Sequence, residues 1–231
     1  MMHCKRIYTY IFTLLLSNLL LCLCPQRASA QIKELFERKD SIPMLRGVSV
    51  SVDLFSAAQR LLSDYGQYEA ALRVNLKDKY FPILELGIGD SKHDEDIVSG
   101  IEASTRAPYG RIGCDFNIMK NKHDDYRIYI GARYAYTAFD FNMSRADVVD
   151  PVWGGTAHYV VDGAKCYYHW LEAAFTVDAK IAGPVRLGWS VRYRRRIASD
   201  DGPAGEVWYV PGYGRAGKTT LGGTFNLIFE L

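Results

Sequence analysis

A chain of 231 residues, 48% hydrophobic and 23% charged, is long enough to bury one sizeable core and shows no composition shift that marks a second domain. Its formal charge of +2 gives no basic excess of the kind a nucleic-acid binder needs, so nucleic acid is excluded as a partner class.

Residues 1–30 read as a cleaved signal peptide. Lys5 and Arg6 form a positive start, Ile7 to Leu23 is mostly apolar, and Ala28-Ser29-Ala30 is a small-x-small cleavage site. Thr13, Ser17 and Asn18 interrupt the run, which argues against a retained membrane helix. Leu23 stands before Cys24 where a lipoprotein signal has a small residue. Removal of the segment takes the charge to about −1 and leaves Cys114 and Cys166 as the cysteines of the mature chain. Residues 31–46 are a short polar lead on the periplasmic side.

From Gly47 the chain falls into eight segments of period 2, each with an apolar and a polar parity. The first sets Val48, Val50, Val52 and Leu54 against Ser49, Ser51 and Asp53; the second sets Tyr68, Ala70, Leu72 and Val74 against Gln67, Glu69 and Arg73. In the third, Leu84, Leu86 and Ile88 oppose Glu85 and Gly87, with Ile83 an exception on the polar side. The fourth has Ile112, Cys114, Phe116 and Ile118 opposite Arg111, Gly113 and Asp115. The fifth has Ile128, Ile130, Ala132 and Tyr134 opposite Arg127, Gly131 and Arg133. In the sixth, Leu171, Ala173, Phe175 and Val177 oppose Trp170, Glu172, Thr176 and Asp178. The seventh, Val185 to Ile197, alternates Leu187, Trp189, Val191 and Tyr193 with Arg186, Gly188, Arg192 and Arg194. The eighth runs to Leu231, with Ile228 as the second exception. Cys114 and Cys166 fall on opposite faces, so both are expected as free thiols.

The links after the second, fourth and sixth segments are short and carry turn residues, such as Lys77-Asp78-Lys79 and Ala182-Gly183-Pro184. Those after the third, fifth and seventh span Gly89 to Ala107, Asp140 to Lys165 and Ala198 to Gly217, and are expected as long outer loops, with a shorter one after the first strand. This sorting is the pattern of an eight-stranded antiparallel up-and-down transmembrane β-barrel over residues 47–231, with both ends periplasmic and outer-membrane lipid around it.

The alternative with the same strands is a soluble barrel whose arginines face water. Two features favour the membrane form. Glycines sit at mid-strand on the polar parity (Gly87, Gly113, Gly131, Gly188, Gly222), where a narrow lumen needs room beside Arg111, Arg127, Arg133, Arg186 and Arg192. Acids on the same parity roughly match the arginines. An arginine facing lipid at the midplane costs about 2–4 kcal/mol, so five of them would cost on the order of 10–20, against a total stability of roughly 5–15. The polar parity must therefore face a plugged, charge-paired lumen, too narrow for an aqueous channel. Aromatic residues, Tyr109, Tyr126, Tyr134, Tyr136, Tyr167, Tyr193, Trp189 and Phe229 among them, are expected at the two membrane interfaces.

Several segments resemble a family of uncharacterised outer-membrane barrel proteins of the Bacteroidota phylum, a domain of unknown function. They are P-Y-G-R-I-G-C-D-F-N from Pro108, Y-I-G-A-R-Y-A-Y-T-A-F from Tyr129, H-W-L-E from His169, L-G-W-S-V-R-Y from Leu187 and Y-V-P-G-Y from Tyr209. The resemblance implies the fold and the membrane, and it supplies no catalytic residues. The last strand also looks like a barrel-assembly signal, although Leu231 stands where an aromatic is usual.

Gly212 to Thr219 satisfies the G-x-x-x-x-G-K-[ST] pattern of a phosphate loop. Its context fails, because Leu221 onward starts a strand and not the helix whose amides would face the phosphates. No nucleotide is expected. Asp90, His93, Asp94, Glu95 and Asp96 lack calcium-loop spacing and read as a solvated acidic stretch, while His169 with Glu172 lacks a metal partner at helical spacing. His158 with Asp150 or Asp162 and Ser144 has no nucleophile signature beside it.

No cofactor, metal or catalytic residue follows from these motifs. The expected function is that of a non-enzymatic structural or interaction protein, with an accessory role in a larger outer-membrane complex as one form of it and an outer-membrane protein as partner. The alternative is a small-ligand or adhesion barrel acting through its outer loops. Trp153, Tyr159, Trp208, Tyr209 and Tyr213 place large aromatics in those loops and are the candidate partner contacts.

Overall fold

The computed structural model describes residues 43–93, 101–149, 154, 156–202 and 207–231; for 93, 101, 145–149 and 156–159 it describes the backbone alone. The signal peptide and most of the polar lead lie outside these residues.

Eight long strands follow one another: β1 (Leu45–Asp53), β2 (Tyr65–Leu76), β3 (Tyr80–His93), β4 (Ile101–Asn117), β5 (Tyr126–Val149), β6 (Thr156–Ala182), β7 (Val185–Asp200) and, last in the chain, β10 (Thr219–Glu230). Each pairs antiparallel with its neighbours, and β1 closes the ring by pairing with both β2 and β10. Helix α1 (Leu54–Leu62) follows β1, and a two-stranded hairpin, β8 (Tyr209–Val210) and β9 (Gly214–Arg215), lies between β7 and β10. The protein is an eight-stranded antiparallel transmembrane β-barrel.

Burial follows the expected parity. Ile130 and Val191 are 52% and 60% exposed, whereas Arg133 and Arg192 are 2% and 3% exposed. A water-soluble barrel would invert this pattern; an apolar outer belt around a polar interior requires hydrocarbon outside. The two exceptions obey the geometry too, since Ile83 and Ile228 are buried in the lumen. Glycine on the inner face makes room as expected: a Cβ on Gly131 would collide with the Asp115 carboxylate. Cys114 and Cys166 are free thiols, the first half-buried and the second buried.

Two expectations are corrected. Two of the three long loops are mostly strand among the described residues: β3 and β4 pair as far as His93 and Ala103, and β5 and β6 as far as Val149 and Thr156. A bilayer needs about 9–11 residues of tilted strand, and β5 and β6 have 24 and 27. The excess, about 13–15 residues in β5 and about 16–18 in β6, adds on the order of 43–59 Å of strand beyond that span at about 3.3 Å per residue.

The segment after β1 also departs from the expected pattern. Leu54 opens a helix there and does not end the strand. Asp53 is its N-cap, accepting from the amides of Phe55 at 3.0 Å and Ser56 at 3.4 Å. As a result β1 reaches only half the barrel height, opposite Asn226 on β10 and Ala70 on β2. Above that level α1 packs against both of those strands and stands in the wall where β1 would have continued.

Candidate functional site: a lumen closed at two levels

Glu85 is the centre of the lower level. Its carboxylate accepts from Arg133 Nε at 2.9 Å, Arg192 Nη1 at 2.8 Å and Arg111 Nη1 at 3.2 Å. These partners come from β5, β7 and β4, so the contacts cross the barrel. Asp115 accepts from Arg73 at 2.9 Å and Arg133 at 3.0 Å. Asp178 accepts from Arg186 at 2.5 Å, and Glu172 faces Arg111 at 2.9 Å and Arg194 at 3.2 Å. Glu69 binds Arg192 at 3.2 Å, the Tyr109 hydroxyl at 2.7 Å and Arg111. All of these carboxylates are buried. Period-2 alternation on a closed ring forces this convergence, because every second side chain of every strand points to one axis. Burial makes each unpaired charge costly, so the groups persist only as a mutually neutral set.

At the end bearing the short turns, Asp78 ties three segments together. It meets Arg46 at 3.1 Å and His123 Nδ1 at 2.5 Å, and accepts from Asn75 Nδ2 at 2.6 Å. Burial pushes its carboxyl up, but the Asn75 and His123 hydrogen bonds and the charges of Arg46 and Arg127 together hold it below the usual aspartate value. A vestibule of about 240 Å³ opens beside it, lined by Arg127, Tyr129, Phe81 and Ile228 among others.

Towards the other end the interior changes character. Phe139, Phe141, Tyr168 and Trp170 point inward and form an apolar cluster with Val207, Val210 and Tyr213 from the segment after β7. Here the expectation of an outward loop is overturned. Tyr209 is 3% exposed and Tyr213 fully buried, with the Tyr213 ring edge-on to Trp170 at 5.6 Å. The reason is chemical: strands that rise past the bilayer present an apolar inner face to water, and the loop's own apolar residues cover it. The ionic level then holds the loop's tip, since Arg111 donates to the Gly212 carbonyl at 2.7 Å and Arg194 to that of Tyr213 at 2.9 Å. The Tyr209 hydroxyl donates to the Gly66 carbonyl at 3.2 Å, and burial pushes its pKa up to about 12. Tyr109, expected in the interface girdle, is instead buried in the lumen beside Glu69.

The candidate contact residues therefore separate. Tyr209 and Tyr213 belong to the plug. Trp208 is half-buried at the mouth, edge-on to Tyr65 at 5.8 Å. Tyr159 lies on β6 opposite Arg145, and Trp153 lies outside the described residues, as do Asp94, Glu95, Asp96 and Asp150. The Gly212–Thr219 stretch closes the β8–β9 hairpin and runs into β10, so it opens no helix. His169 stacks on the outer surface against Tyr136 at 4.7 Å and bonds Tyr134 at 2.5 Å. Two features escaped the sequence reading. The plug was visible only as an apolar loop, and α1 had one local signal, Asp53 three residues before Ser56, masked by the alternation that precedes it.

A family model described as a domain of unknown function, DUF6048, matches residues 7–230. None of the curated proteins matches the chain. Among solved structures it is similar to the attachment invasion locus protein Ail of Yersinia pestis, solved with the heparin analogue sucrose octasulfate (8% identity, 80% of this chain and 93% of that one, TM-score 0.37). It is also similar to CarO2 of Acinetobacter baumannii (12% identity, 81% and 99%, TM-score 0.40). A third is a major outer membrane protein of Thermus thermophilus (11% identity, 80% and 100%, TM-score 0.41).

Proposed function

The chain belongs to the DUF6048 family, and on that footing we propose that it is a sealed outer-membrane barrel that works by contact, as a non-enzymatic structural or interaction protein and as an accessory subunit of a larger outer-membrane complex. One observation carries this reading: the lumen is closed twice, by the ion lattice around Glu85 and by the inward hairpin above it. Both levels place packed side chains across the lumen among the described residues. In this reading residues 1–30 are the cleaved export signal, the turn end is periplasmic and the loop end extracellular, following the usual sorting of short turns and long connections.

What the barrel offers to partners is its raised β4–β5–β6 wall, where Tyr159 lies on β6, and the mouth beside Tyr65, where Trp208 is half-buried, with Trp153, in the link between β5 and β6, as a further contact residue. Planar-bilayer recording of the purified protein tests the sealing, and large stable conductance would end the proposal. Shortening the β5–β6 hairpin between Ser144 and Val161 tests the contact. The shortened barrel is expected to remain folded but to lose whatever protein co-purifies with the full chain from solubilised native membranes. A full chain recovered wholly alone, or a partner retained by the shortened form, counts against the accessory role.

A further inference from the structure

Above the end of β1 the wall is completed by α1, which packs on β2 and β10 without strand pairing, so the joint between α1 and β10 is a seam in the hydrogen-bonded ring. On β10 the amide of Phe225 turns away from β7 to reach the Asp53 carboxylate at 3.1 Å. Strand alternation therefore turns the amides and carbonyls of Gly223 and Leu221 to the same edge. The β1 pairing stops at Asn226, so among the described residues no strand stands opposite them. Backbone groups at bilayer depth need a partner. The seam lies in the half of the barrel nearer the upper girdle, because Leu221 pairs with Tyr193.

Behind the seam is a cavity of about 620 Å³, bordered by α1, β2, β10 and the plug. Its described lining carries two arginines, Arg194 and Arg215, and no carboxylate, together with the neutral polar groups of Ser56, Gln67 and Thr220. Arg194 also faces Glu172 at 3.2 Å from behind the cavity, so the lining's excess positive charge rests on the exposed Arg215, which lies over the Tyr65 ring. Gly222 keeps the space open: a Cβ there would come within 3.0 Å of the Arg194 guanidinium. Away from the cavity, α1 exposes Leu61 and Leu62 at 78% and 88%, an apolar edge suited to hydrocarbon, while Phe55 lines the cavity itself.

From this combination we infer that the seam is a lateral binding site for an anionic amphiphile, whose phosphate-bearing head group enters between α1 and β10 to meet Arg194, Arg215 and the open β10 edge while its acyl chains stay in the bilayer along α1. The chemistry is a phosphate monoanion or diester, hydrogen-bonded by guanidinium and by backbone amides. The site is separate from the raised β4–β5–β6 wall and does not depend on a protein partner there.

Native mass spectrometry of the full chain in a neutral detergent, offered phosphatidylglycerol, phosphatidylcholine or inorganic phosphate, tests the inference. Phosphatidylglycerol is expected to be retained about tenfold over phosphatidylcholine. Two variants should each lose that preference, Arg215→Gln, at an exposed position, and Gly222→Leu, which fills the cavity. Heat-modifiable migration and the strand signal in circular dichroism check that both are folded. Equal retention of the two lipids overturns the charge argument, and unchanged retention by both folded variants overturns the location. Inorganic phosphate binding as tightly as phosphatidylglycerol would show a free-anion site and overturn the lateral entry of a lipid.

Discussion

The two ends of the lumen are built from the same strands and held by opposite chemistry. Between the turns and the upper girdle the inner face is charged, and its stability rests on neutrality: Glu85 with Arg111, Arg133 and Arg192, Asp115 with Arg73. Past the girdle the inner face is aromatic, and it is covered by a hairpin that comes from elsewhere in the chain. The lower level has no mobile part, since every member sits on a paired strand. The upper level depends on a loop that must fold inward. A barrel's inner surface thus takes its chemistry from what lies outside it, hydrocarbon around the first zone and water around the second.

Loss of Glu85 has the largest expected effect on the ionic zone. Glu85→Ala leaves three buried arginines short of a carboxylate and should cost about 3–5 kcal/mol, read as a lower urea midpoint of the folded barrel in detergent or lipid. An effect below about 1 kcal/mol would mean that water reaches the lattice and screens it.

At the upper level Tyr213→Ala should cost about 2–3 kcal/mol, less because a loop can partly close the gap. Its signature is local: faster proteolysis near Val207 to Arg215 with the strands intact. It should also leave the barrel non-conducting, because the ion lattice still blocks the lumen below. Steady conductance in this variant would show that the plug alone seals the barrel.

Asp53→Ala removes the α1 cap and the acceptor of the Phe225 amide. A loss of about 1 kcal/mol is expected, with faster amide exchange confined to α1 and the upper part of β10. Global exchange would instead make the seam part of the cooperative core.

The smallest effect is the pH dependence at the turn end. The Asp78 carboxyl lies below its ordinary value when folded, so its contribution is fully present above the unfolded aspartate pKa of about 3.9. It is lost as pH falls through the lowered folded value. Asp78→Asn should flatten that acid limb of the stability profile, and an unchanged limb would assign it to other carboxylates.

The strand count, the inward parity and the free cysteines were legible in the sequence because each depends on alternation, which is local. Ile83 and Ile228 show how strong that rule is: against their chemistry, they still follow the parity of their strands into the lumen. The loop boundaries were not legible, because β5 and β6 keep alternating past the bilayer and nothing local marks where hydrocarbon ends. The contact residues were the weakest part, since an apolar loop reads the same whether it faces a partner or its own barrel.

By itself the sequence determined an eight-stranded ring with charges inside and apolar residues outside, because a period of two on strands long enough to span a bilayer allows one register only. Tertiary structure alone decided that Tyr209 and Tyr213 turn inward and that α1 completes the wall where β1 stops. Both outcomes depend on surfaces contributed by strands far apart in the chain. The apolar inner face that recruits the plug exists only once β4, β5 and β6 are side by side, and the gap that α1 fills exists only once β1 has paired with both β2 and β10.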